Sequence, residues 1–190
     1  MRSFKDRSRT LSIVVAVLTL SYPFLALLGM RYFSPEAVVA VLCLLVTARL
    51  VVGRRGAVDL VLAAVVTCQV LLLRLEPTLA VRLYPLLVNF GVAAVFGYTL
   101  WSPPPMIERF ARVAHPDLPD AALPYLRNVT AAWVCFLMLN GAAAAWTVAF
   151  GTLEQWAFYN GFIAYLLIGA MLAGELVVRR WVLGRAGRRV

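Results

Sequence analysis

The chain has 190 residues, 63% of them hydrophobic and only 14% charged, with a net charge of +9. Soluble domains hold about 45–50% apolar and about 25% charged residues, and a soluble fold of this size would have to expose the excess as apolar patches that monomers rarely carry. This excludes a soluble enzyme, a disordered tail and a disulfide-stapled secreted module. In a membrane protein the surplus of basic residues is the retention signal of cytoplasmic loops, so no nucleic-acid partner is expected.

A spanning helix takes about 20 apolar residues, and six such segments follow one another: Leu11–Met30, Pro35–Val52, Ala57–Leu73, Ala80–Trp101, Val129–Phe150 and Trp156–Val178. The first has a basic lead (Arg2, Lys5, Arg7, Arg9), but its apolar run is longer than that of a signal peptide and no small-x-small cleavage site follows, so a retained anchor is expected. Ser34-Pro35, Gly53-Arg54-Arg55-Gly56, Glu76-Pro77, Ser102-Pro103-Pro104-Pro105 and Gly151-Thr152 separate the others. These connections are mostly short, which makes neighbouring helices antiparallel. The third segment, with Asp59 and Gln69, is the most polar. With the N-terminus inside, fifteen basic residues fall on the cytoplasmic side, and only Arg31, Arg74 and Arg82 fall outside. The positive-inside rule then predicts an all-α polytopic bundle of six transmembrane helices in one domain, with both termini inside.

The one sizeable loop, residues 103–128, opens with Met106, Ile107, Phe110 and Val113 at helical spacing, and with Glu108, Arg109 and Arg112 on the opposite side. That pattern predicts an amphipathic interfacial helix on the inner membrane surface between helices four and five. His115, Asp117, Asp120 and Pro124 follow. They read either as an elbow setting the angle of the fifth span or as a polar docking point for partners or headgroups. One histidine beside two aspartates falls short of a structural metal site. No metal or cofactor is expected. Cys43, Cys68 and Cys135 all lie in apolar runs and read as small core residues.

Within the spans, Gln69, Asn89, Asn140 and Asn160, with Tyr159 and Tyr165, are the polar groups that hydrocarbon penalises most. They either join helices pairwise or converge on an outward-facing cavity. Ala93/Gly97, Gly141/Ala145 and Ala170/Gly174 are small-xxx-small pairs that predict close crossings. Glu175 lies one turn before Arg179 and pairs with it or with Arg127; Asp59 has Arg55 one turn away. Arg82, with Glu76 nearby, is expected to snorkel to the headgroups. Arg109, Arg112, Arg127, Arg179 and Arg180 form the candidate face for partners or anionic lipid. No Walker loop, GxSxG elbow, HExxH, paired aspartate motif or dinucleotide fingerprint occurs, so no enzyme is expected.

The order Pro104-Pro105-Met106-Ile107-Glu108-Arg109-Phe110, Leu118-Pro119, Pro124, Ala132-Trp133-Val134-Cys135-Phe136, Asn140-Gly141, Trp146 and Glu154-Gln155-Trp156-Ala157-Phe158 resembles the intracellular septation protein A (YciB-like) family of inner-membrane proteins. It is specific over residues 103–160. Similar small proteins accompany aryl-polyene and fatty-acid-synthase-like gene sets, a branch with which the chain is compatible. The resemblance implies a bacterial inner-membrane protein of envelope synthesis, division or membrane maintenance that acts as a scaffold through contacts with envelope or division proteins, without catalysis. It is compatible with a homo-oligomer. The alternative is a small carrier or binder of a lipid or lipid-linked acyl or polyene intermediate, which requires Gln69, Asn89, Asn140 and Asn160 to bound one cavity.

Overall fold

The computed structural model describes residues 32–52, 56–114 and 118–186. The expected first span Leu11–Met30, the Arg54-Arg55 turn, His115 and Asp117 lie outside them. The described residues are mostly helical, with no strand among them.

Helix α1, Pro35–Val52, coincides with the expected second span. The amide of Ala37 donates to the Ser34 carbonyl, which satisfies a first-turn donor that has no partner inside the helix. Helix α2, Ala57–Leu72, starts after Gly56, whose amide donates to Asp59 Oδ2 at 2.9 Å. Asp59 therefore closes the helix start. Arg55, its expected partner, is not among the described residues.

The expected fourth span, Ala80–Trp101, is corrected to two helices, α3 over Pro77–Arg82 and α4 over Tyr84–Trp101. The cause is Pro85: it has no amide proton to give the Val81 carbonyl, and its ring crowds that carbonyl, so the helix breaks at Leu83. The Pro103–Pro104 peptide in the turn after α4 is cis. Helix α5, Met106–Ala114, is the expected amphipathic element.

After a 3-10 turn over Asp120–Ala122, helix α6 runs over Leu123–Phe150, starting before the expected Val129. Pro124 sits in its first turn, where a missing amide costs nothing. Thr152 and Gln155 form a capping box that opens α7, Leu153–Phe158, earlier than the expected Trp156. A π-helical segment over Tyr159–Ile163 joins α7 to α8, Ala164–Ala186.

Among the described residues three helical stretches are long and apolar enough to cross a membrane: Tyr84–Trp101, Asp120–Phe150 and Leu153–Val178; Pro35–Ala48 and Asp59–Leu72 are shorter apolar helices. Large apolar side chains face outward while amides are buried alongside the apolar core. Leu60 is 74% and Leu139 72% exposed, whereas Gln69 is 0% and Asn160 3% exposed. Such an arrangement suits hydrocarbon and is compatible with a membrane protein.

Two packed regions hold the fold. Val38, Val39, Leu42 and Val46 of α1 meet Leu62 and Val65 of α2, Val81 of α3, Tyr84, and the fully buried Trp156 of α7. Beside this cluster, α4 and α6 pack antiparallel. Gly141 marks a close approach between them, because a Cβ there would stand 2.9 Å from the Phe90 ring and 3.2 Å from Asn89 Cβ. At the glycines of the other two small-residue pairs, Gly97 and Gly174, a Cβ would meet nothing within 4 Å. Beyond the π segment, α8 leaves Leu172, Leu176 and Val177 exposed.

Candidate functional site

Polar side chains gather at three places along the α4–α6 pair. At mid-length, Asn89 Nδ2 donates to the Pro85 carbonyl at 2.7 Å, which leaves Asn89 Oδ1 free to accept from Asn140 Nδ2 at 3.0 Å. Asn140 Oδ1 in turn accepts from the Tyr159 hydroxyl at 2.9 Å. One directional chain thus ties α4, α6 and the π segment together. The carbonyl that Asn89 uses lies on the first turn of α4. Of the six residues proposed to line a cavity, these three are brought together.

Gln69 stands apart on α2, where Nε2 donates to the Ala80 carbonyl at 2.9 Å while Oε1 is buried without a partner. Asn160 is directed elsewhere too: Nδ2 donates to the Trp156 carbonyl at 2.8 Å and to Thr147 Oγ1 at 3.2 Å. Tyr165 is partly buried at the start of α8.

The second place is the end of α6. The last carbonyls of a helix have no partner inside it. Here the Thr147 carbonyl, which also accepts from the Gly151 amide, and the Gly151 carbonyl just past the helix accept from Arg82 Nη2 at 2.6 and 2.8 Å. Arg82 is therefore turned into the bundle, which corrects the expectation of a side chain snorkelling past Glu76. The reason is that α3 ends beside the end of α6, and carbonyls at a helix C-terminus attract a cation. The Trp156 indole fixes this corner by donating to the Arg82 carbonyl at 3.0 Å. Sequence reasoning passed over the corner, because neither Thr147 nor Gly151 carries a side-chain signal for it.

At the opposite end, α5 is fastened by two buried threonines. Thr99 donates to the Phe96 carbonyl and accepts from the Met106 amide at 2.9 Å; Thr130 donates to the Leu126 carbonyl and accepts from the Ile107 amide at 3.3 Å. Two first-turn amides of α5, which lack partners inside their own helix, are thus satisfied by the helices on either side. The amphipathic stripe divides. Met106, Ala111 and the Glu108 carboxylate are buried against the bundle, and Phe110 and Val113 are exposed. Arg112 meets Glu108 at 2.7 Å.

Arg109 and Arg127 serve the end of α4. Arg127 Nη1 donates to the Leu100 carbonyl at 2.9 Å, while Arg109 donates from Nε to Pro104 at 2.7 Å and from Nη2 to Ser102 at 3.3 Å. Arg127 is thus engaged with Leu100 rather than with Glu175. The main-chain carbonyl of Glu175 accepts from the Tyr125 hydroxyl at 3.4 Å. The side chains of Arg179 and Arg180, and with them the expected Glu175–Arg179 pair, lie outside the described residues.

Among the described residues no three His, Cys, Asp or Glu side chains group as metal ligands. Cys43, Cys68 and Cys135 are free thiols. No family profile, curated protein or solved structure matches the chain.

Proposed function

We propose that this chain is a non-enzymatic multi-pass protein of the bacterial inner membrane, with six spans and both termini in the cytoplasm, that acts as a scaffold in envelope synthesis, division or membrane maintenance. The six spans and their orientation rest on the hydropathy pattern and on fifteen basic residues against three. Among the described residues, three long apolar helices and two shorter ones are compatible with the later spans. The envelope setting rests on the resemblance over residues 103–160.

The working surface in this reading is the platform made by the Ser102–Pro105 turn, α5 and the start of α6. The observation that carries it is the anchoring of α5 through Thr99 and Thr130. An interfacial helix held only by its apolar face could tilt and roll on the membrane. One bonded into the bundle at its first turn presents Phe110, Val113, Arg109 and Arg112 in a fixed relation to the spans. Phe110 and Val113 enter the acyl boundary, and the guanidinium protons left over from the carbonyl bonds meet anionic headgroups or an acidic partner.

Native mass spectrometry of protein released from mixed phosphatidylglycerol–phosphatidylcholine nanodiscs tests this. The wild type should retain phosphatidylglycerol preferentially. Changing Arg109, Arg112 and Arg127 together to Gln should lower that enrichment at least about tenfold, given about 1 kcal/mol for each cation near an anionic surface. Unchanged enrichment, together with unchanged cross-linking to partners, would overturn the platform reading.

A further inference from the structure

We propose that Arg82 and Asn160 hold a single hydrogen-bearing oxygen, a water or the hydroxyl of a lipid headgroup, in the corner between α3, the end of α6 and the π segment. Both side chains are only partly spent. Arg82 Nη2 is committed to the Thr147 and Gly151 carbonyls, yet Nε is buried with no partner. Asn160 Nδ2 is committed to the Trp156 carbonyl and the Thr147 hydroxyl, yet Oδ1 is buried with no partner. The amide orientation of Asn160 is fixed, because exchanging its oxygen and nitrogen would set Oδ1 against the Trp156 carbonyl.

The unpaired donor and the unpaired acceptor belong to one corner. Arg82 hangs on the Thr147 carbonyl and Asn160 on the Thr147 hydroxyl. Trp156 joins them again, donating to the Arg82 carbonyl and accepting from Asn160. The π segment contributes as well. Its wider turn lets the successive residues Tyr159 and Asn160 both reach α6, one at Asn140 and the other at Thr147. Gln69 Oε1, the third unpaired buried atom, belongs to the α2–α3 contact and is not needed here.

The pair selects its ligand by chemistry. A phosphate or carboxylate oxygen would accept from Nε but set lone pairs against Asn160 Oδ1. An ammonium would satisfy Oδ1 but oppose the guanidinium. A hydroxyl or water oxygen accepts from Nε and donates to Oδ1 with the same atom. Buried polar groups in folded proteins are nearly always satisfied, often by such an oxygen. Arg82 and Gly151 are only half-buried, so the corner borders the surface at the Gly151–Thr152 turn, the side from which a headgroup would have to enter to meet the buried Nε and Oδ1.

Two arms separate the sources. Native mass spectrometry compares lipid retention from nanodiscs of phosphatidylglycerol with that from nanodiscs of phosphatidylmethanol, which has the same charge and no headgroup hydroxyl; the α5 platform does not distinguish the two by charge. In parallel, water-edited solid-state NMR of arginine-labelled full-length protein reads transfer from water to Arg82 Nε–H, assigned by its loss in Arg82→Lys. A headgroup hydroxyl gives about fivefold preference for phosphatidylglycerol, the ratio one net hydrogen bond supplies, falling to parity in Arg82→Lys and Asn160→Leu. A water gives parity between the lipids and a strong water-to-Nε–H transfer. Parity with no such transfer in the wild type overturns the proposal, whether or not Asn160→Leu folds.

Discussion

Two helices of this bundle end on arginines, and the two ends are built from the same parts in opposite surroundings. At the end of α4, exposed Arg109 and Arg127 donate to the carbonyls of Leu100, Ser102 and Pro104. At the end of α6, half-buried Arg82 donates to the carbonyls of Thr147 and Gly151. Each supplies a cation to the negative end of a helix and donors to the carbonyls there. The difference is solvent. Around Arg109 and Arg127 the remaining guanidinium protons find water or headgroups, so each bond is worth little. Around half-buried Arg82 one proton finds nothing in the protein, and the bonds that do form face less competition from water. Burial converts a modest surface device into a structural one and leaves one buried donor, Arg82 Nε, unpaired.

The comparison predicts a graded series of losses. Trp156→Ala should cost most, about 3–5 kcal/mol, because it empties the largest buried site and frees the Arg82 carbonyl. Thermal unfolding in nanodiscs measures it. A loss no larger than that of an exposed residue would show that the corner around Arg82 is not part of the core. Arg82→Gln comes next, at about 2–3 kcal/mol, since two charge-assisted bonds to the end of α6 go at once. A neutral outcome would return Arg82 to a snorkelling role and make the two helix ends equivalent.

Asn140→Leu should fall lower, at about 0.6–1.7 kcal/mol, the range of inter-helix hydrogen bonds inside membranes. It breaks the chain from Asn89 to Tyr159 without touching either helix end. A cost above that of Arg82→Gln would mean that the mid-length chain from α4, not the capped corner from α3, is the stronger tie to α6.

What the sequence displayed, and what it concealed, follows the same division between local and tertiary causes. Pro35–Val52 is legible because Ser34-Pro35 starts a helix by chemistry confined to neighbouring residues. The break at Leu83 had its signal in Pro85, and the early start of α7 had one in the Thr152–Gln155 spacing; both were legible in principle and outweighed by continuous hydropathy. The inward turn of Arg82 has no local cause. It depends on α6 ending beside α3, sixty-five positions away in the case of Thr147. Thr99 and Thr130 are concealed for a related reason, because a threonine inside an apolar helix bonds its own preceding turn whether or not an amide from α5 arrives. The π segment shows no pattern in composition that separates it from the helix around it.

The smallest effect is the one that decides whether the two ends are of different kinds. Arg127→Gln should cost no more than about 0.5 kcal/mol, because an exposed cation at a helix end is screened and its carbonyl partner can turn to water. Since exposed interactions are screened within about 8–10 Å at ordinary ionic strength, that small cost should vanish when unfolding is repeated in high salt. The cost of Arg82→Gln should largely persist there, as the guanidinium and its carbonyl partners are half-buried. If salt reduced both costs equally, water would reach both ends alike, and the contrast between a solvated and a buried arginine cap would be lost.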